Sequence, residues 1–190
     1  MSKAHLVILA SGNGSIAQSI IDAVSSKALD AQVVGLICDK EGAQVLQRAK
    51  DAGIQNYLIP LKSDRKLWDR EIINTLEELS PDLVVSAGFM RILSAECVER
   101  FRIVNCHPAL LPLFPGAHAV RDALAAGAKE TGVTIHWVDS GVDTGEIIAQ
   151  ESVAISASDT EVILHERIKI AERKLYVATL QSLLADHVRS

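Results

Sequence analysis

Asn105 and His107 flank Cys106 in the run Arg102-Ile103-Val104-Asn105-Cys106-His107-Pro108, which reads as a short strand stopped by proline. Side chains alternate along a strand, so the amide and the imidazole face one way and the thiol the other. Such a pair at the carboxyl end of a strand sits where open α/β sheets place their ligands, and both groups can donate to a carbonyl oxygen. One histidine alone is more often a hydrogen-bonded packing residue; the companion amide is what marks this one. The opposed direction of Cys106 argues against a Cys-His nucleophile pair built from neighbours. A second source of chemistry is the loop Asp139-Ser140-Gly141-Val142-Asp143-Thr144-Gly145, whose carboxylates could relay protons and whose glycines allow backbone movement. Asp and Gly favour turns in any protein, however, and spacing alone does not bring Asp143 to His107.

The third feature is Ser11-Gly12-Asn13-Gly14-Ser15. It follows an apolar strand and opens a helix, so free backbone N–H groups and the helix dipole would favour a phosphate there. Two other readings stay open. The glycines could simply permit a tight turn. Alternatively, Gly12, Gly14 and Ala17 satisfy a loose dinucleotide fingerprint, with Asp39 at the end of the next strand as a ribose ligand.

These residues need elements to position them. Strands are expected at His5–Ala10, Gln32–Cys38, Asn56–Ile59, Asp82–Ala87 and Arg102–His107, with helices at Ser15–Val24, Gly42–Ala52 and Asp64–Leu79 between the first four. Leu67, Trp68, Ile72, Leu76 and Leu79 form the apolar stripe of that last helix. Strands alternating with helices imply right-handed βαβ units in a largely parallel sheet. Thr131–Val138 and Glu146–Ile155 then read as an antiparallel pair. A capping box at Ser158-Asp159-Thr160-Glu161 starts a long final helix with Leu164, Ile168, Ala171, Leu175 and Ala178 on one face.

The whole chain fits one domain. Its 190 residues are 48% hydrophobic and 23% charged, with no repeat or low-complexity stretch, so general disorder is excluded. Nineteen basic against 24 acidic residues give a net charge of −5, which argues against a broad nucleic-acid surface and leaves any anionic ligand to be held locally. Apolar runs such as Leu6–Ala10 are far shorter than the ~20 residues of a membrane span, and no signal-peptide pattern leads the chain. Three widely spaced cysteines, Cys38, Cys97 and Cys106, suit neither a disulfide framework nor a zinc site, and point to reducing cytoplasm.

Separated stretches of the sequence resemble the folate-dependent formyltransferases, most closely those members that act on glycinamide ribonucleotide in purine synthesis. The carriers are Ser11 to Ser15, then Ala87-Gly88-Phe89-Met90-Arg91-Ile92-Leu93, then Asn105-Cys106-His107-Pro108-Ala109-Leu110-Leu111-Pro112, and finally Val142-Asp143-Thr144-Gly145 with Ile147. The resemblance spans nearly the whole chain. It implies a three-layer, Rossmann-like, doubly wound α/β fold, mostly parallel, with an antiparallel C-terminal pair and a long closing helix. It also implies a single formyltransferase domain over 1–190, with residues 1–100 holding the phosphate and ribonucleotide and residues 101–190 the catalytic and folate-binding groups. The reaction implied is transfer of the formyl group of 10-formyltetrahydrofolate to the amine of glycinamide ribonucleotide, without a metal, giving N-formylglycinamide ribonucleotide and tetrahydrofolate.

Carried over position by position, the resemblance makes Asn105, His107 and Asp143 the catalytic group. Gly12, Asn13, Gly14 and Ser15 would cradle the phosphate, with Arg65, Lys169 and Glu172 near the same substrate. Met90, Arg91, Ile92 and Leu93 would line the folate pocket together with Asp139, Ser140, Gly141 and Val142. Two small molecules are the implied partners, with no nucleic acid and no membrane; a homodimer is possible. The sequence departs from the family where Ile16 replaces a common Asn, Lys169 a frequent Gln, and Cys106 and Ala109 the commoner Ile and Ser. By residue type alone, Arg65 could equally be a solvated charge, Met90, Ile92 and Leu93 are more often core, and Lys169 and Glu172 could simply pair i,i+3 on a helix surface. Competing activities are hydrolysis of the formyl donor and formyl transfer to a sugar nucleotide or tRNA, whose enzymes usually carry an extra domain. A dinucleotide-binding protein would leave Asn105, His107 and Asp143 unexplained.

Overall fold

The computed structural model describes residues 3–187. The chain runs β1 (Ala4–Ala10), α1 (Ser15–Ser25), β2 (Ala31–Cys38), α2 (Gln44–Asp51), β3 (Asn56–Leu58), α3 (Arg65–Leu79), β4 (Leu83–Ser86), α4 (Ala95–Arg100), β5 (Ile103–His107), α5 (Ala119–Ala125), β6 (Glu130–Trp137), β7 (Ile147–Ala154) and α6 (Glu161–His187). One seven-stranded sheet has the order β3-β2-β1-β4-β5-β6-β7. The first five strands are parallel; β6 runs antiparallel to β5, and β7 to β6. The expected doubly wound, mixed α/β architecture is therefore present.

The pleat of β1 explains why it lies inside. Leu6 to Ala10 are all fully buried, so β1 has no solvent face and must be covered on both sides. Leu6 and Ile8 join a core beneath α1, α2, α5 and α6, containing Ile20, Val45, Val120, Leu164 and Ile168. Val7 and Leu9 join the opposite core beneath α3 and α4, with Trp68, Ile72, Leu76 and Cys97.

Several sequence expectations shift at the edges. Asp64 does cap α3, accepting from the Leu67 N–H at 3.1 Å, but the Leu67 side chain is 61% exposed because the buried stripe runs through Trp68, Ile72, Ile73 and Leu76. The capping box at Ser158 does not form. Thr160 is the residue that caps α6, its Oγ1 accepting from Ile163 N–H at 3.3 Å, while Asp159 binds Arg167 at 2.6 Å and the Ser156 N–H at 2.8 Å. Along 27 residues the 3.6-residue period also drifts off a strict four-three pattern, so Ala178 is exposed and Tyr176, Leu180 and Leu184 face the core. Two short helices, α4 and α5, lie where no helix is expected from sequence; six and seven residues give too little periodicity to read.

α6 is tied to the sheet by a polar contact as well as by packing. The buried Tyr176 hydroxyl reaches the carbonyl oxygens of Ser86 (3.0 Å) and Val104 (2.9 Å), bridging β4 and β5. Those two strands hold the site.

Candidate active site

β5 delivers Asn105 and His107 to one side and Cys106 to the other, as the strand period requires. The antiparallel register sets His136 on β6 directly opposite Asn105. After β6 the chain turns through residues 138–146, and this loop swings Asp143 back over both histidines. His107 Nδ1 lies 3.3 Å from Asp143 Oδ2, and His136 Nε2 lies 3.5 Å from Asp143 Oδ1. The Asn105 amide nitrogen is 3.2 Å from His136 Nε2, whose other ring nitrogen faces the Trp137 carbonyl at 2.9 Å. With Nδ1–H on that carbonyl, a neutral His136 ring accepts from Asn105 and fixes which end of the amide points inward. A protonated ring would instead donate to Asp143.

His136 is a residue of the cavity wall that sequence reading misses. Its only signal lies in the strand register, since a single histidine in an apolar strand has no motif.

The Asp143 loop is knotted rather than loose. The Asp139 carboxylate accepts from the Gly141 N–H (3.0 Å) and the Thr144 hydroxyl (2.8 Å), closing a turn that presents Asp143 in the left-handed region at φ +54°. Burial alone would raise the Asp143 carboxyl. The hydrogen bond to His136, the Gly116 N–H at 2.8 Å and the charges of His107 and His136 outweigh it and hold the group below the usual carboxylate range.

These groups form one wall of a cavity of about 400 Å³. Gly88 to Leu93 make the opposite lip, with Met90 and Ile92 more than half exposed, and Asp139, Gly141 and Val142 reach in from the loop. Ser140 is not among the lining residues and is exposed. Arg91 lines the cavity, yet its Nε is bound to the fully buried Asp39 carboxylate at 2.6 Å. Asp39, the ribose ligand of the dinucleotide reading, is thus covered by an arginine.

The glycine loop abuts this lip. Ser11 Oγ accepts from the Met90 N–H at 2.8 Å, and the Ser11 N–H donates to the Gly88 carbonyl at 3.2 Å. Gly14 caps α1 in the left-handed conformation (φ +77°) without any side-chain cap, so the first-turn N–H groups stay open to a ligand. A Cβ on Gly14 would fall 2.6 Å from Val45 Cβ, so this glycine also lets α2 approach. Gly12 and Asn13 are exposed. Arg48 on α2 donates to the Asn13 carbonyl at 2.8 Å and brings a positive charge that sequence reading does not find. Ile16 is buried in the core, so the departure from Asn substitutes packing for a polar group.

Arg65 is placed with the lip instead of the glycine loop: it donates to the Ile92 carbonyl, pairs with Asp69 at 2.7 Å and lies over the Trp68 ring. Glu172 and Lys169 do not pair. Lys169 binds Glu166 at 2.7 Å, while Glu172 is 5% exposed and accepts from the Cys106 thiol at 3.8 Å, behind the catalytic strand. Burial pushes the Glu172 carboxyl up to about 7, only partly offset by that thiol and by the charges of Lys169 and Arg173. Cys106 is itself raised by burial and by Glu172, which leaves it an inert thiol.

Known proteins resemble the chain over nearly its whole length. Residues 4–180 match the formyl transferase family. The chain is 47% identical over 189 residues to the phosphoribosylglycinamide formyltransferase of Mycobacterium tuberculosis (strain H37Rv), covering 97% of this chain and 87% of that protein. It is 39% identical over 176 residues to the enzyme of the same name from Escherichia coli (strain K12), covering 90% and 83%. Among solved structures, glycinamide ribonucleotide transformylase 1 from Symbiobacterium toebii superposes with a TM-score of 0.94 at 34% identity, covering 97% of this chain and 89% of that one. Phosphoribosylglycinamide formyltransferase from Bacillus halodurans gives 0.90 at 43% identity and 95% coverage of both chains.

Proposed function

The chain belongs to the formyl transferase family, and on that footing we propose that it moves the formyl group of 10-formyltetrahydrofolate to the amine of glycinamide ribonucleotide, a step of purine biosynthesis. The observation that carries the reading is the convergence of Asn105, His107 and Asp143 on one cavity wall whose opposite lip is bonded to the glycine loop. The ribonucleotide's phosphate rests on Gly12 to Ser15, where the first-turn N–H groups of α1 have no side-chain cap. Its binding groups lie mainly in residues 1–100, while the reacting groups lie in 101–190. The folate enters between Met90–Leu93 and residues 139–142.

The amine attacks the formyl carbon and negative charge develops on the carbonyl oxygen. Asn105 has a second amide hydrogen not directed at His136, and it donates to that oxygen. His107 is the other donor. Its 3.3 Å contact with Asp143 is longer than an ordinary charge-assisted bond, so the Nδ1 proton can be shared with a substrate oxygen. Each such donor stabilises the transition state by about 3–4 kcal/mol. Asp143, ionised because its donors outweigh its burial, takes the proton of the attacking amine through a water and returns it to the departing folate nitrogen. No metal has a role in the reading.

The chain's three cysteines are free and buried, and among the described residues no helix is long and apolar enough to cross a membrane, which supports cytoplasmic residence. A homodimer remains part of the proposal, supported by the outer edge of β7 and the exposed Ile147; sedimentation velocity tests it. The decisive assay follows tetrahydrofolate spectrophotometrically. Formation that requires added glycinamide ribonucleotide is expected; formation without it would show a hydrolase.

A further inference from the structure

The segment between β5 and α5 is anchored at its base. Thr134 Oγ1 donates to the Ala109 carbonyl at 2.6 Å and accepts from the Leu111 N–H at 3.0 Å, while Gln150 Nε2 donates to the Leu111 carbonyl at 2.9 Å. Beyond this anchor the chain reaches the site twice. The Phe114 carbonyl sits 2.8 Å from His107 Nε2, and the Gly116 N–H sits 2.8 Å from Asp143 Oδ2. A carbonyl can only accept, so Nε2 carries a proton of its own in this contact, and Nδ1, with the second proton that it shares with the substrate oxygen, is the nitrogen turned toward Asp143.

The backbone is bent to make both contacts. Phe114 at φ +53° and Asp143 at φ +54° occupy the left-handed region that side-chain-bearing residues avoid, and Gly116 lies at φ +89°. Strain of this kind persists where surrounding contacts over-determine it, and it clusters at working sites. A Cβ on Gly116 would meet nothing within 4 Å, so the need for glycine there is conformational and not steric.

We propose that residues 112–117 are a positioning strap for the catalytic pair: the Phe114 carbonyl selects Nδ1 as the working nitrogen of His107, and the Gly116 N–H holds the Asp143 carboxylate in line with it. The inference rests on the catalytic reading of His107 and Asp143 given above. Phe114 and Gly116 touch no reacting atom; they act through the two residues they orient. The ionisable groups facing Asp143 are His107 from β5 and His136 from β6, and the Gly116 N–H is the donor supplied by the strap.

Gly116→Ala is expected to lower kcat by about 100-fold, the scale of a small misplacement of reacting groups, with little change in either KM. Its kcat should also fall away at higher pH on the acid side than in the unaltered protein, because alanine avoids φ +89° and the shifted backbone carries its N–H away from the charged Asp143 carboxylate. Phe114→Gly, which adopts the left-handed conformation freely, should retain turnover, whereas the β-branched Phe114→Val should lose it although the carbonyl remains. The ¹⁵N spectrum of His107 in the unaltered protein should show Nε2 protonated at neutral pH. Ordinary kcat and pH profile in Gly116→Ala, equal activity of the two Phe114 variants, or an unprotonated Nε2 would each overturn the strap. Should Gly116→Ala fail to fold, the Phe114 pair and the spectrum still decide. Lack of formyl transfer by the unaltered protein would instead strike at the catalytic reading itself.

Discussion

In the proposed reaction, Asp143 is the side chain whose charge matters most. Asp143→Asn keeps size and can still accept from the Gly116 N–H, but it removes the base and the negative charge facing two imidazoles. Turnover should fall by orders of magnitude while the melting temperature stays near that of the unaltered protein; steady-state kinetics beside calorimetry would show it. Glu172 is a different kind of carboxylate, buried and raised from 4.5 to about 7. Between those values the unfolded chain releases the proton and the folded one keeps it, so this group makes stability decline as pH rises from about 4.5 to 7, with no further loss above. Glu172→Gln should therefore raise the melting temperature more at pH 8 than at pH 5. The pairing of Asn105 with His107 could be read from strand alternation. His136 could not, because its meaning comes from its place opposite Asn105 in the β5–β6 register.

Elements explain why two glycines of one loop are not equivalent. Gly14 has positive φ and packs against Val45, so Gly14→Val should destabilise the fold and obscure any effect on binding. Gly12 has open space around it, and Gly12→Val should raise the KM for the ribonucleotide by about tenfold or more while leaving that for the folate nearly unchanged, as initial-rate measurements on each substrate would reveal. On the same face of the sheet, Tyr176→Phe strips the hydroxyl from two buried carbonyls and should lower stability by about 1–3 kcal/mol in urea titration. Long periodic segments such as α3 and the strand β1 were legible because their burial repeats many times. The start of α6 was not, since Ser158 and Thr160 are both competent caps and only the docking of Asp159 on Arg167 selects between them.

At the scale of the molecule, the dinucleotide reading fails on one residue. Asp39 fits the fingerprint by position, but its side chain is fully buried under Arg91, and calorimetry with NAD should detect no binding. The same pair makes Arg91 structural as well as cavity-lining. Arg91→Ala strands a buried carboxylate and should cost about 3–5 kcal/mol in chemical denaturation, even before any effect on folate. Sequence gave no hint of this because the partners are 52 residues apart and meet only through the parallel crossing of β2, β1 and β4.

The bonds from Ser11 to Gly88 and Met90 tie the loop proposed to hold the phosphate and the lip proposed to hold the folate into a single unit. Such a unit works as a gauge. One end of an acceptor is anchored by its anion, and the reactive nitrogen reaches the formyl carbon only if the molecule between has the right span. Homologues of the acceptor one atom shorter or longer would dock and yet stay silent, so selectivity should surface in kcat far more than in affinity.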